Sequence, residues 1–258
     1  MNPTLKEKKQ KYVEDFMSEI YDISTAAIPV LRYCVSSTPR SGSTFLCRSL
    51  KATGMAGVPD EYLNPLHMTA WMKHTGAESM DFGRYIANLE ASRTSASGYF
   101  GMKIHWRHLE KGFGKALYST VSNPLLARFN KFIVISRRDK LAQAISDFAA
   151  RTTGAFNAID EPYADSLQSA DFDEVKITKG LCQILEEERN WLNYLTRNHC
   201  DFIEIAYEDL VAHYQPTMEY VLNFLRLGTS SIPEIPNTQM SGKHYAEMRA
   251  HWIGKIGL

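Results

Sequence analysis

The 258-residue chain is short of several things, and each shortage excludes a class of protein. Cysteine occurs four times, as Cys34, Cys47, Cys182 and Cys200, with no Cys-x-x-Cys or other metal-ligand spacing. Zinc-ribbon and thioredoxin-like readings are therefore excluded, and a reducing cytoplasm is the expected compartment. Charge of one sign is lacking: 29 Lys and Arg balance 29 Asp and Glu, which excludes a nucleic-acid partner held on a broad basic surface. The Lys-rich stretch 6–11 reads as a solvated helix face. No apolar run approaches the roughly 20 residues that span a bilayer. The first thirty residues have neither the apolar core nor the cleavage site of a signal peptide. Internal repeats and low-complexity segments are missing too. What remains, 44% hydrophobic and 22% charged residues, is ordinary for one sizeable globular domain.

The most informative stretch is Thr38-Pro39-Arg40-Ser41-Gly42-Ser43-Thr44. An extended apolar run, Tyr33-Cys34-Val35, leads into it, and a helical pattern with Phe45, Leu46, Leu50 and Ala52 on one side follows. A strand, a small polar turn and a helix N-terminus in that order aim unpaired N–H groups and the positive end of the helix dipole at one point. Gly42 permits close approach to a ligand, Ser41, Ser43 and Thr44 add hydroxyls, and Arg40 adds a permanent charge. The alternative is an ordinary Ser/Thr helix cap. The turn lacks the first Gly and the Lys of a nucleoside-triphosphate loop, so a γ-phosphate with Mg²⁺ lacks its usual partners.

Periodicity gives the rest of the order. Residues 5–21 read as an amphipathic N-terminal helix, 82–91 as a helix, and 99–105 as a strand. Lys131-Phe132-Ile133-Val134-Ile135-Ser136 has the β-branched character of a buried parallel strand. A helix over 140–151 follows, then a weakly periodic loop or lid over 153–172. A long helix over 173–197 carries Val175, Leu181, Ile184, Leu185, Leu192 and Leu195. It precedes a strand over 202–207 and a helix over 216–225 with Pro216 at its start. Alternating strands and helices predict an α/β fold with a central, mostly parallel sheet flanked by helices. The organisation is an N-terminal helical extension, 1–30, and one domain over 31–258. Ligands of such sheets gather at the carboxyl ends of the strands. There the sequence places Arg40 to Thr44, then Arg137, Arg138 and Asp139, then Lys103 and His105. Ser146 lies two turns into the helix after Arg138. Two anion sites on one sheet edge suggest a nucleotide with two separated phosphate groups.

Two motifs then carry a resemblance. Pro39 to Thr44 followed by Ala52-Thr53-Gly54-Met55-Ala56-Gly57-Val58-Pro59-Asp60-Glu61 is similar to the bacterial trehalose and glycolipid sulfotransferase family. Arg138-Asp139-Lys140-Leu141-Ala142-Gln143-Ala144-Ile145-Ser146 resembles that family's second signature. Phe100-Gly101-Met102-Lys103 and Glu188-Arg189-Asn190-Trp191 resemble further landmarks, so the similarity runs from about residue 33 to 207. The resemblance implies a P-loop-like sulfotransferase fold and 3′-phosphoadenosine 5′-phosphosulfate as sulfuryl donor, with no metal. It places the 5′-phosphosulfate on Arg40, Ser41, Gly42, Ser43 and Thr44, and the 3′-phosphate on Arg137 or Arg138 with Ser146. Sulfotransferases in general align Arg138, the nearer family pattern aligns Arg137, and both stay open.

The resemblance also implies Glu61 as the base for the acceptor hydroxyl. His105 is the rival, because Lys103-Ile104-His105 has a Lys-x-His spacing that other sulfotransferases use and the trehalose pattern lacks. Lys103 is expected to bridge the sulfate or pair with an acid. The acceptor expected is a sugar or glycolipid, met in the second case at a membrane surface, and the assembly expected is a homodimer. Trp71, Trp106, Phe148 and Phe156 are candidates for stacking on sugar rings, with core packing as the alternative. A small-molecule kinase and a non-catalytic nucleotide-binding protein are the competing readings.

Overall fold

The computed structural model describes residues 22–23, 28–112, 123–154, 173–229 and 232–234. The expected N-terminal helix, all of the expected lid over 153–172 except Thr153, which ends a helix, and Gly154, which caps it, and most of the C-terminal tail lie outside these residues; so does Phe156. Four strands form one parallel sheet: β1 (Leu31–Ser37), β2 (Tyr99–His105), β3 (Lys131–Ser136) and β4 (Phe202–Ala206), in the order β2-β1-β3-β4. In register, Ser37 stands beside His105 and Ile135, and Ile135 beside Ile205, so all four carboxyl ends share one edge. The chain runs from β1 to one side for β2 and to the other for β3. The order therefore reverses beside β1, where a crevice opens in folds of this type.

Both faces of the sheet are covered, which is why β3 is apolar from Phe132 to Ile135. On one face Cys34, Phe100, Met102, Ile104, Phe132 and Val134 pack with Trp71, Leu89 and Trp191. These come from α2 (Pro65–Thr75), α3 (Phe82–Arg93) and α6 (Glu174–Arg197). On the other face Tyr33, Val35, Ile133, Ile135 and Ile205 meet Leu46, Leu50, Met218 and Leu222. Those come from α1 (Ser43–Ala52) and α8 (Tyr214–Phe224). Three α-helices, α4 (Trp106–Gly112), α5 (Lys140–Thr153) and α7 (Tyr207–Ala212), and a 3-10 turn over Leu126–Arg128 complete the described residues. The sequence reading misses the short α4 and α7, and it misses α2, which Asn64 caps through Leu66 N–H and Pro65 begins. It ends β4 one residue late, since Tyr207 opens α7, and starts α8 two residues late. Ala52, Val175 and Leu185, expected on apolar faces, are exposed. Trp71, Trp106 and Phe148 are buried in the core, which leaves them no free ring face for a sugar.

Gly101 sets the fit of β1 against β2. A Cβ there would stand 2.3 Å from Tyr33 Cζ, because that ring crosses Gly101 on its way to donate to Ala56 O at 2.8 Å. A second buried arrangement joins three helices. Arg107 of α4 donates to Glu187 Oε1 of α6 at 2.8 Å and lies 3.7 Å from Asp147 Oδ2 of α5. Burial pushes the Glu187 carboxyl up to about 7, against the pull of Arg107.

Two outcomes follow. Gly101→Ala should lose about 1–3 kcal/mol in urea unfolding, through overpacking against Tyr33. Glu187 keeps its proton in the folded state above the ordinary carboxylate range, so its contribution is full at low pH and falls as pH rises toward about 7. Wild type compared with Glu187→Gln should therefore lose on the order of 2 kcal/mol of stability between pH 5 and 7.5. Parallel stability profiles for the two proteins would disprove the buried proton.

Candidate active site

The turn after β1 becomes a helix start without a cap. Gly42 is the N-cap residue of α1, in a left-handed conformation with φ 88°, and no side chain caps the helix. By contrast, α2, α3, α5 and α6 each begin with an Asn or Asp side chain that accepts a first-turn N–H. The ordinary Ser/Thr cap is thus not formed, and the first N–H groups of α1 keep their donor capacity toward the strand edge. Gly42 is also sterically required: a Cβ would meet Tyr207 Cδ2 at 2.3 Å. Arg40 itself takes a left-handed conformation, with φ 61°. The turn is held from outside by one face of α5. Gln143 Nε2 donates to Thr38 Oγ1 at 2.8 Å and to Pro39 O at 2.7 Å. Three residues further along that helix, Ser146 Oγ accepts from Arg40 Nε at 2.8 Å. The Ser41 hydroxyl is buried without a partner.

The two arginines after β3 part company. Arg138 is 61% exposed, and both its terminal nitrogens bind Asp209, while its backbone N–H donates to Glu208 at 3.0 Å. Arg137 lies with its guanidinium 5.4 Å from the Tyr207 ring, the same ring that abuts Gly42, and its Nε is buried without a partner. Arg137 therefore neighbours the turn, and Arg138 turns to the surface. Ser146 meets Arg40 among the contacts described, rather than either of these arginines.

Glu61 is brought to β2 by an extra pairing. Asp60 forms a parallel bridge with Met102, its carbonyl accepts from Lys103 N at 2.9 Å, and its Oδ1 accepts from Glu61 N at 2.7 Å. Glu61 Oε2 is then 2.8 Å from Lys103 Nζ and 3.4 Å from His105 Nε2. The other oxygen, Oε1, is 3.3 Å from His108 Nε2 and accepts from Asn64 Nδ2 at 3.3 Å. Lys103 Nζ also donates to Thr44 Oγ1 at 3.2 Å, so one ammonium links the carboxylate to the uncapped helix. Burial works to raise the Glu61 carboxyl, but Lys103, His105 and His108 outweigh it and hold the group well below the usual range. Lys103 is raised, since Glu61 and Asp60 outweigh its own burial. His105 Nδ1 faces Ser37 Oγ at 2.9 Å.

Three of these residues escape the sequence reading. His108 had a visible signal, its spacing of three from His105. Gln143 and Ser146 likewise share one helix face by spacing, which could have paired them on the turn. Tyr207 had none, because its position depends on how β4 meets β3. Among the described residues no group of three or more His, Cys, Asp and Glu side chains could hold a metal ion. No helix among them is long and apolar enough to cross a membrane.

The chain is 26% identical over 255 residues to trehalose 2-sulfotransferase of Mycobacterium tuberculosis (strain ATCC 35801 / TMC 107 / Erdman), covering 86% of this chain and 93% of that one. It is 24% identical over 230 residues to trehalose 2-sulfotransferase of Mycolicibacterium smegmatis, covering 75% of this chain and 83% of that one. A sulfotransferase structure from Alicyclobacillus acidocaldarius superposes with a TM-score of 0.46 at 11% identity, over 90% of this chain and 94% of that one. The Stf0 sulphotransferase family model matches residues 32–256, nearly all of the chain and both the turn and Glu61 within it, and the protein belongs to that family.

Proposed function

We propose that this protein is a carbohydrate O-sulfotransferase that moves a sulfuryl group from 3′-phosphoadenosine 5′-phosphosulfate to a sugar hydroxyl. The observation that carries the reading is the Lys103 ammonium, 2.8 Å from Glu61 and 3.2 Å from Thr44, which joins an acid–base group to an uncapped helix N-terminus. Family membership supports the sulfuryl chemistry, and the trehalose 2-sulfotransferases support a sugar acceptor. A kinase reading has no lysine in the turn to support it, and a purely binding role leaves the Glu61 arrangement without a use.

The residues suit such a donor. Ser41 Oγ and Arg137 Nε are buried donors lacking a partner, and an anionic oxygen is the group that would satisfy them. When bound, the donor supplies an activated sulfuryl group and a nucleotide leaving group. In this proposal Arg40, Ser41, Gly42, Ser43 and Thr44 cradle the 5′ end. Ser146 acts by fixing Arg40 Nε. Arg137 serves the 3′-phosphate, because Arg138 is already bidentate on Asp209.

Glu61 takes the proton of the acceptor hydroxyl. His105 serves Glu61 rather than competing with it. Its Nδ1 faces Ser37 Oγ at 2.9 Å and its Nε2 faces Glu61 Oε2 at 3.4 Å, so both ring nitrogens are already engaged by protein oxygens and Glu61 is the group offered to a sugar proton. Lys103 places positive charge between the carboxylate and the turn, where charge shifts during transfer. The proposal extends to a homodimer acting in the cytoplasm, the compartment being supported by the free Cys34, Cys47, Cys182 and Cys200. A lipid-linked sugar is as compatible with it as a free one.

Calorimetry with 3′-phosphoadenosine 5′-phosphate tests the donor site. Arg137→Ala should weaken binding about tenfold to a hundredfold, and Arg138→Ala less than about threefold. A wild-type protein that does not bind this nucleotide would end the proposal. Transfer of labelled sulfate to trehalose tests the base. Glu61→Gln should lower kcat by about 10²–10⁴-fold while nucleotide affinity changes little. Near-normal turnover in Glu61→Gln, with loss in His105→Gln, would move the base to the imidazole.

A further inference from the structure

α4 starts where β2 stops, so His105 and His108 face one another across the junction with ring centroids 5.1 Å apart. The His108 side chain is 12% exposed, and its Nε2 lies 3.3 Å from Glu61 Oε1. Its Nδ1 is buried and has no partner. The charged and titratable groups around the ring are Glu61 from the turn after α1, Lys103 and His105 from β2, and Arg107 from α4 itself. Burial first, then the neighbouring His105, Lys103 and Arg107, pushes the imidazole down to about 3 despite Glu61, so the ring is neutral. A neutral imidazole has one N–H, and the carboxylate oxygen in reach is its natural acceptor. The proton therefore sits on Nε2, and Nδ1 keeps a buried lone pair without a donor. An apolar side chain would fill this space without burying an unsatisfied acceptor. What the imidazole adds is the bond to Glu61.

That bond acts on one oxygen only. Asn64 Nδ2, at 3.3 Å, donates to the same Oε1, so two elements pin it. Oε2 is left to Lys103 at 2.8 Å and His105 at 3.4 Å, on the side of Thr44 and the turn. We infer that His108 is a positioning residue for Glu61: its Nε2–H holds Oε1 so that Oε2 is the oxygen offered to the reacting hydroxyl. The inference rests on the proposed sulfotransferase reading, in which Glu61 takes the hydroxyl proton. A donor removed from an ionised carboxylate raises that carboxylate's pKa, so loss of His108 should show in the acid limb of activity as well as in rate.

The experiment has two arms. In the first, ¹⁵N-histidine NMR of the free full-length protein reads the His108 tautomer without any turnover. A protonated Nε2 and a bare Nδ1 from pH 7 down to about 4.5, with the Nε2 signal moving in Glu61→Gln, supports the contact. A charged ring at pH 7, or a proton on Nδ1, overturns it. In the second, His108→Leu and His108→Gln are assayed with 3′-phosphoadenosine 5′-phosphosulfate and trehalose. His108→Leu should lower kcat about tenfold, leave the donor KM within about twofold, and raise the acid limb of kcat/KM by about one pH unit. His108→Gln, whose amide nitrogen can reach the same oxygen, should restore both rate and limb to near wild type. An unmoved limb in His108→Leu, or a His108→Gln enzyme no better than it, overturns the positioning role. A wild-type protein without turnover overturns the sulfotransferase reading and the role with it, and the NMR arm then still decides whether the contact exists.

Discussion

The Lys103 ammonium is almost wholly buried on the sheet face that also carries α1. A buried cation is tolerated only with close charged and polar partners, and removal of one partner leaves an uncompensated charge. Its partners are Glu61 Oε2 at 2.8 Å and Thr44 Oγ1 at 3.2 Å. The constraint works in both directions. The lysine, fixed by the β2 backbone, draws the turn after α1 onto the sheet and fixes how far the carboxylate can stand from the helix start. The Asp60–Met102 bridge supports the same placement through the backbone. The separation between the candidate base and the candidate anion cradle is therefore set by packing and charge rather than by a loop that must order on binding.

This arrangement makes Glu61 a weak base in the resting protein, because Lys103, His105 and His108 together hold its carboxyl well below the usual range. That is consistent with a loose transfer, by analogy with phosphoryl transfer, in which bond breaking runs ahead of bond making. An acceptor hydroxyl in such a transition state gives up its proton late, when the forming bond to sulfur has made that proton strongly acidic. A weak but fixed carboxylate then suffices, and orientation matters more than basicity. An anion arriving at α1 would also draw on Lys103 and repel Glu61, both of which raise the carboxyl. The candidate base would thus strengthen as the candidate anion cradle fills, with the imidazoles keeping it in place.

Where the sequence could be read, the reason is physical. β3 was legible because a strand covered on both faces has an unbroken apolar centre, here Phe132 to Ile135 with three β-branched residues. β1 extends past its apolar stretch because Ser36 and Ser37 are buried polar residues, Ser37 with His105 as its partner. Such a pair is invisible to hydrophobic periodicity. α2 was missed for a similar reason: its apolar residues make no clean stripe and Leu66 is exposed, although Asn64-Pro65 and Gly76 mark both its ends. The position of Arg40 to Thr44 at a strand end was legible, since strand, turn and helix are local. The division between Arg137 and Arg138 was not. It is decided by Glu208 and Asp209, seventy residues away in sequence, which capture Arg138 only because β4 lies beside β3.

The same long-range logic explains why the turn can afford to be uncapped. An N-terminus with uncapped N–H groups and two left-handed residues, Arg40 and Gly42, draws a single long bond from its own turn, Ser41 N–H to Thr38 O at 3.4 Å. It is held by α5 through Gln143 and Ser146. Trp191 of α6 anchors the strand end from below, donating to Ser37 O at 3.1 Å. In turn α5 and α6 are packed together by Ile145, Phe148, Ile177 and Ile184, and tied to α4 through the buried Arg107 and Glu187. The helix that carries His108 and the helix that clamps the turn are thus parts of one packed assembly behind the strand edge. Donors that are aimed before a ligand arrives need no reorganisation when charge develops. The fold supports that aim from three helices, α5 through Gln143 and Ser146, α6 through Trp191, and α4 through the Arg107–Glu187 pair.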